Sequence, residues 1–240
     1  VKKIHTSLSG TLPLQYWSVG DYFLGRFEVT NAEFKAFVDA GGYDDRDLFA
    51  ELDDLSFARA KSAFVDRTGR QGPAGWRLAN FAEGEERKPV TGISWYEATA
   101  FARFRGEQLP TAVHWSHAGR NVLDAVSAWR SVQTEAGNFS GAVRDVGGSG
   151  VIDPFGTFDM VGNVREWVAN TAGGRRAVLG GSYRDPSYML GYTVALDPWT
   201  RDGVTGFRTM RVANAALDQA ALLADVGTVP MHSTDVRTRR

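Results

Sequence analysis

Apolar positions recur along the chain with two different periods. Between residues 12 and 29 they alternate loosely, at Leu12, Leu14, Tyr16, Tyr22, Leu24, Phe27 and Val29. That alternation predicts short strands with one face turned to a core. The period then lengthens. Phe34, Phe37 and Val38 share one helical face, Thr30 or Asn31 stands before it, and Glu33 follows Thr30 by three residues. This is the capping-box spacing, in which a hydroxyl and a carboxylate each satisfy a backbone N–H of the first turn. Gly41 and Gly42 end that helix, since glycine enters the left-handed C-cap conformation without steric cost.

The same grammar returns downstream. Ser94 caps a second helix, Trp95 to Arg105, with Glu97 at the capping-box offset and Ala98, Phe101, Ala102 and Arg105 at helical spacing. Leu109-Pro110-Thr111 starts a third, through Val113, Trp115 and Ala118. Leu48, Phe49, Leu52 and Leu55 fall at helix-like spacing inside a charged stretch. Residues 66–90 read as a long connection rich in Gly, Pro and charge; long loops inside compact domains are often functional. From residue 137 onward glycines punctuate strand and loop, with late strands expected over 178–183 and 206–212. Residues 214–225 are Ala/Leu-rich and predict a terminal helix, followed by a basic tail. No repeat or linker divides the chain, so one domain, 1–213, with an extension, 214–240, is expected.

Composition sharpens this. Among 240 residues there are 27 glycines, and aromatics make up 12%. Many glycines with many large rings predict an irregular α+β fold in which aromatic side chains pin long loops. Lys and Arg total 27 against 28 Asp and Glu, a balance that argues against a dedicated nucleic-acid or anionic-membrane binder. There is no cysteine, which excludes disulfides, a thiolate nucleophile and any Cys-ligated metal. No run of about 18 apolar residues is present, so no spanning helix and no membrane insertion is expected. Val1 at the start predicts one domain cut from a longer protein, and with no apolar stretch behind Lys2 and Lys3 there is no intact signal peptide, so a cytoplasmic rather than exported place is expected.

Seven segments then coincide in order: Arg26-Phe27-Glu28-Val29-Thr30-Asn31; Pro89 through Ala98; Leu109-Pro110-Thr111 with Trp115; Asn138-Phe139-Ser140-Gly141; Gly156 through Trp167; Leu179-Gly180-Gly181-Ser182-Tyr183; and Gly206-Phe207-Arg208. This series resembles the formylglycine-generating-enzyme (sulfatase-modifying factor) family, over roughly residues 20–212. The resemblance implies a variant C-type-lectin fold with little regular secondary structure. The stretches Phe34 to Tyr43 and Gly69 to Trp76, with His114, resemble family domains fused to bacterial serine/threonine kinases.

One departure governs the expected function. In the family, true formylglycine generators carry two copper-binding cysteines just after the Gly-Gly-Ser-Tyr segment. Here Asp185 and Met189 stand about where those thiols belong, with the spacing one residue shorter. A carboxylate and a thioether cannot supply the thiolates that copper(I) chemistry needs. Formylglycine generation is therefore not expected, and a non-catalytic branch is.

The resemblance also implies one structural calcium, held by the carboxylates of Asp159 and Glu166 and the carbonyls of Gly162 and Val164. Calcium takes hard oxygen ligands and tolerates irregular loops. The alternative is a loop that folds by its own hydrogen bonds. A second family calcium site begins at the segment equivalent to Asn138-Phe139, but its remaining acidic ligand falls in a stretch shortened here, so its loss is expected. His114 and His117, three apart on one helix face, could hold zinc or iron. A third ligand is missing, and a structural role is the expectation. Glu83, Glu85 and Glu86 read as a solvated loop.

For the surface, the segment between Gly181 and Gly206 offers Tyr183, Arg184, Asp185, Tyr188, Tyr192, Asp197, Trp199 and Arg201. Aromatics with arginine and acids suit protein or small-ligand recognition. The expected function is a recognition module of a multidomain signalling protein, using loops 183–205. The alternatives are a metal-dependent oxidoreductase with altered chemistry and a retroelement-diversified ligand-binding protein.

Overall fold

The computed structural model describes residues 2–6, 15–119, 137–150, 152–153, 155–187, 192–213 and 222–226. Trp129, Tyr188, Met189, most of the expected terminal helix and the basic tail lie outside the described residues, and of Trp17 only the backbone is described. Strands β1 (Lys2–Thr6) and β2 (Gln15–Val19) form an antiparallel pair. β3 (Tyr22–Leu24) follows, then α1 (Asn31–Asp39), α2 (Asp54–Ala63), α3 (Trp95–Phe104) and α4 (Ala112–Ala118). The second half supplies β4 (Arg165–Ala172), β5 (Arg175–Leu179), β6 (Val194–Leu196), β7 (Thr205–Gly206) and β8 (Met210–Val212). The class is α+β, and long connections carry much of the chain.

Both predicted capping boxes close. Thr30 and Glu33 exchange bonds at the start of α1, and Ser94 and Glu97 do so at α3. The second box is buried, so the Glu97 carboxylate needs a counter-charge there, and Arg201 supplies it with Nε 2.9 Å from Oε2. Thr111 caps α4 through the His114 N–H. The helix-like spacing at 48–55 resolves differently. Arg46–Phe49 is a short 3-10 turn, capped by Asp45. Asp53 restarts the chain as α2, and this leaves Leu55 82% exposed. The late strands are shorter than expected. Left-handed Gly180 and Gly181 end β5 at Leu179, and Phe207 and Arg208, both fully buried, interrupt the ladder between β7 and β8.

The main sheet runs β6-β5-β4-β7, with β4 and β7 parallel and the other pairs antiparallel. β4 is buried on both faces. Trp167 joins a cluster with Phe34, Phe37, Phe101 and Phe207 under α1 and α3. Val168 joins a second cluster with Val113, Trp115, Met160 and Leu179 under α4. Leu222 and Val226 pack on that second cluster, and Asn170 Nδ2 donates to the carbonyls of Leu222 and Ala224 at 2.8 Å each. Phe34 stacks on Phe101 at 5.3 Å and meets Phe207 edge-on, the offset and T-shaped packing that ring quadrupoles favour. Among the described residues, no helix is long and apolar enough to cross a membrane.

Candidate functional site

The Gly-Gly turn after β5 organises the region where the family chemistry would lie. Gly180 has φ +91, and a Cβ there would stand 3.1 Å from the Trp115 ring. The turn buries Ser182 and Tyr183 and directs Asp185 at the first residue of β4. Arg165 Nε donates to Asp185 Oδ2 at 2.8 Å, and Nη2 pairs with Oδ1. Ser182 adds its N–H at 2.7 Å and its hydroxyl at 2.8 Å to the same Oδ2. Burial works to raise the Asp185 carboxyl, but the bonds from Arg165 and Ser182 prevail and hold it below the usual carboxylate range. The carboxylate is thus locked in a bidentate pair.

The expected surface residues separate into two layers. Tyr183 is buried, and its hydroxyl donates to the Gly203 carbonyl at 3.3 Å. Arg201 points inward. Its Nη1 donates to the carbonyls of Ala63 and Val65 at 2.8 and 3.0 Å, and its Nη2 to that of Gly72 at 2.6 Å. It is a clamp between this segment and the loop after α2. Arg184 and Asp197 are exposed, while Tyr192 and Trp199 are half-buried. Trp199 rests on Phe64 and Tyr96, with the Arg59 guanidinium 4.8 Å above its ring. Asp197 caps the Trp199 N–H at 2.8 Å. Arg184, Tyr192, Asp197 and Trp199 therefore keep solvent-facing surface, while Tyr183, Asp185 and Arg201 are engaged within the fold.

A charged cluster lies under the sheet. Glu166 and Arg208 are both essentially inaccessible. Arg208 Nε donates to Glu166 Oε2 at 2.7 Å and Nη2 to Oε1 at 2.6 Å, while Trp115 Nε1 also reaches Oε2 at 2.7 Å. Nη1 and Nη2 further reach the carbonyls of Gly25 and Phe158, each at 3.0 Å. Glu28 is 1% exposed; its Oε1 accepts from Asn163 Nδ2 at 3.1 Å, and its Oε2 is buried with no hydrogen-bond partner. Burial, then the charges of Asp159 and Glu166, push the Glu28 carboxyl well above its ordinary range. Asp159 holds left-handed backbone, φ +53, and receives the Gly147 N–H. Gly162 is left-handed too, and a Cβ there would stand 2.6 Å from the Asn138 carbonyl oxygen.

Glu28, Asp159 and Glu166 therefore share one guanidinium. An orphaned buried carboxylate oxygen amid excess negative charge fits a hard divalent cation bound through oxygen. No three His, Cys, Asp or Glu side chains among the described residues converge as a metal cluster, so a cation here would lean on backbone carbonyls as well. The histidine pair is placed otherwise. His114 Nδ1 lies 2.7 Å from the Thr111 hydroxyl, and burial pushes its imidazole down to about 4, neutral at physiological pH. His117 Nδ1 lies 2.7 Å from the Tyr22 hydroxyl. Sequence reasoning missed Glu28 and Arg208 as partners of the Asp159–Glu166 loop. The signal was present in charged residues standing inside otherwise apolar segments, Phe27-Glu28-Val29 and Phe207-Arg208.

Comparison with known proteins completes the picture. The chain is 28% identical over 158 residues to the serine/threonine-protein kinase pkn1 of Chlamydia pneumoniae, covering 65% of this chain and 24% of the kinase. It is 28% identical over 195 residues to the formylglycine-generating enzyme of Mycobacterium tuberculosis, covering 65% of each. The chain thus spans less than two thirds of either relative. Among solved structures it superposes on Treponema denticola variable protein 1 with TM-score 0.54, at 16% identity over 88% of this chain and 92% of that one. PvdO from Pseudomonas aeruginosa gives TM-score 0.53, at 18% identity over 88% and 91%. These likenesses show the fold, a variant C-type-lectin-like architecture. The model of the sulfatase-modifying factor enzyme 1-like domain matches residues 3–213, and the chain belongs to that family.

Proposed function

We propose that this chain is a non-catalytic recognition module of a longer bacterial signalling protein, presenting loops 183–205 to a protein or small ligand. The observation that carries this reading is Asp185. In a chain with no cysteine, the position about where the family places a thiol holds a carboxylate locked to Arg165 and Ser182. Such a group cannot bind copper(I) as a thiolate does. The same pair does useful structural work: it anchors the turn from which Arg184 projects. Arg184, Tyr192, Asp197 and Trp199 then form an outer face of the composition that interface hot spots favour. The kinase named above supports the signalling context by its own name only.

A calcium ion in the Asp159–Glu166 loop belongs to this proposal. Asp159, Glu166 and the carbonyls of Gly162 and Val164 would hold it, with Glu28 close by. When bound, calcium would neutralise the buried carboxylates and stiffen the loop beneath Asp185.

Three measurements test the reading. Elemental analysis of protein dialysed against metal-free buffer should give about one calcium per chain and no stoichiometric copper or iron. Incubation with copper, dioxygen and a cysteine peptide should leave the peptide mass unchanged, and copper-dependent turnover would overturn the non-catalytic assignment. Partner capture should succeed with the native chain and fail when Arg184, Asp197 and Trp199 are all alanine. A partner kept by that triple variant would move recognition to another face.

A further inference from the structure

A second recess lies away from loops 183–205, where β4 loses its regular pairing. The register of β4 on β5 shifts between Trp167 and Thr171. Bulges of this kind bend a strand and re-aim its groups, and they recur beside functional sites. Here two carbonyls of the shifted segment turn to side chains. The Val168 carbonyl accepts from Trp95 Nε1 at 3.0 Å, and the Ala169 carbonyl accepts from Arg176 Nη1 at 3.0 Å. Arg176 is drawn over Trp95, with its guanidinium carbon 3.6 Å from the ring centroid. The result is a recess of about 360 Å³ with Arg176 and Trp95 in its wall, closed by the apolar Leu109, Ala169, Val212 and Leu222.

The charges in this recess do not balance. Arg176 has no carboxylate within ion-pair distance among the described residues, although it is only partly exposed. Burial pulls its guanidinium below the usual arginine range. The other cation of the wall, Arg103, is already held bidentate by Glu51. His114, also in the wall, is neutral at physiological pH. Glu51 acts on Arg176 only from beyond ion-pair distance and is committed to Arg103, so among the described residues the half-buried guanidinium lacks a directly paired anion, which is costly unless something restores the charge. Stacking on Trp95 compensates in part, and one face of the hydrogen-bonding fork is spent on Ala169. The remaining N–H groups suit a planar monoanion. A dianion such as phosphate would meet the Glu51 charge and find no second free cation among the described residues. The volume lies within the range of small-molecule sites.

We infer that this recess is a binding site for a small monocarboxylate with an apolar body, its head group on Arg176 and its body against Leu109, Ala169 and Leu222. The site is independent of the recognition face proposed above.

Hexanoate, hexanol and inorganic phosphate, titrated into the intact chain and followed by protein-observed NMR, provide the test. Hexanoate should bind and shift resonances of Trp95 and Ala169, and hexanol and phosphate should each bind at least roughly tenfold more weakly. Arg176→Gln should lose roughly tenfold or more in hexanoate affinity, and Arg176→Lys should recover part of it. Because Arg176→Gln also removes the stack on Trp95, its fold is checked by far-UV dichroism. The comparison of hexanoate with hexanol on the native chain needs no variant. No hexanoate binding, equal binding of hexanol or phosphate, or undiminished binding by a folded Arg176→Gln chain would each overturn the assignment.

Discussion

The buried pair of Arg208 and Glu166 makes an asymmetric prediction. Three carboxylates, Glu28, Asp159 and Glu166, act on the one guanidinium of Arg208. Arg208→Met removes the positive charge, both bonds to Glu166 and the donors to the Gly25 and Phe158 carbonyls. What remains is a set of buried acids without compensation. Breaking a buried pair from one side costs about 3–5 kcal/mol, against a total stability of about 5–15 kcal/mol. Glu166→Gln is the milder change. Arg208 keeps its carbonyl contacts and the charges of Glu28 and Asp159, and the cluster sheds a repulsive acid, so a loss of about 1–2 kcal/mol is expected. With a urea slope of about 3 kcal/mol/M, the two midpoints should fall by about 1–1.7 M and about 0.5 M. Equilibrium urea unfolding by fluorescence and dichroism measures both. Equal losses, or a larger loss for Glu166→Gln, would refute the claim that negative charge is in excess there. Added calcium should narrow the gap, because it supplies the charge that Arg208→Met removes.

Five further outcomes follow from the same geometry. Asp66 accepts the N–H groups of Thr68 and Arg70 through Oδ1 and of Ala79 through Oδ2, so Asp66→Ala should cost about 2–3 kcal/mol and speed proteolysis between residues 66 and 80. Gly162→Ala meets the Asn138 backbone in a left-handed conformation and should lose more than about 2 kcal/mol by urea unfolding. Ser94→Ala breaks the buried capping box and should cost about 1–2 kcal/mol, more than Thr30→Ala at its exposed counterpart. His114 is depressed to about 4. Its contribution is whole above the ordinary histidine value near 6.5 and is lost as pH falls through 4, so stability should drop across that window by ~2–3 kcal/mol, and less in His114→Asn. Asp153, raised to about 6 mainly by burial, runs the other way, losing its contribution as pH rises through 6.

Local signals were the legible part of the sequence. Thr30 with Glu33, Ser94 with Glu97 and Thr111 before Val113 marked three helix starts, because caps are set by residues within one turn. The ordered segments marked the family and the Gly-Gly turn. β4 was not resolved as the central strand. Its residues, Arg165 to Ala172, face two cores at once, so they show no clean alternation. The inward turn of Arg201 was also hidden, since its partners at Ala63, Val65, Gly72 and Glu97 are more than a hundred residues away. Long-range pairing decides which polar residues of a loop become scaffold and which stay available, and no local pattern encodes it. Arg176 shows the same limit: nothing in Arg175-Arg176-Ala177 marks which arginine lies over a tryptophan eighty residues earlier.

The pairing of β3 with β8 sets Tyr22 opposite Val212, so two strands from opposite halves of the chain lie side by side. During vectorial synthesis on a ribosome, β3 must wait for its mate until β8 has cleared the exit tunnel. Closure of this domain is thus a late, single event whose rate is governed by the entropy of a very long loop.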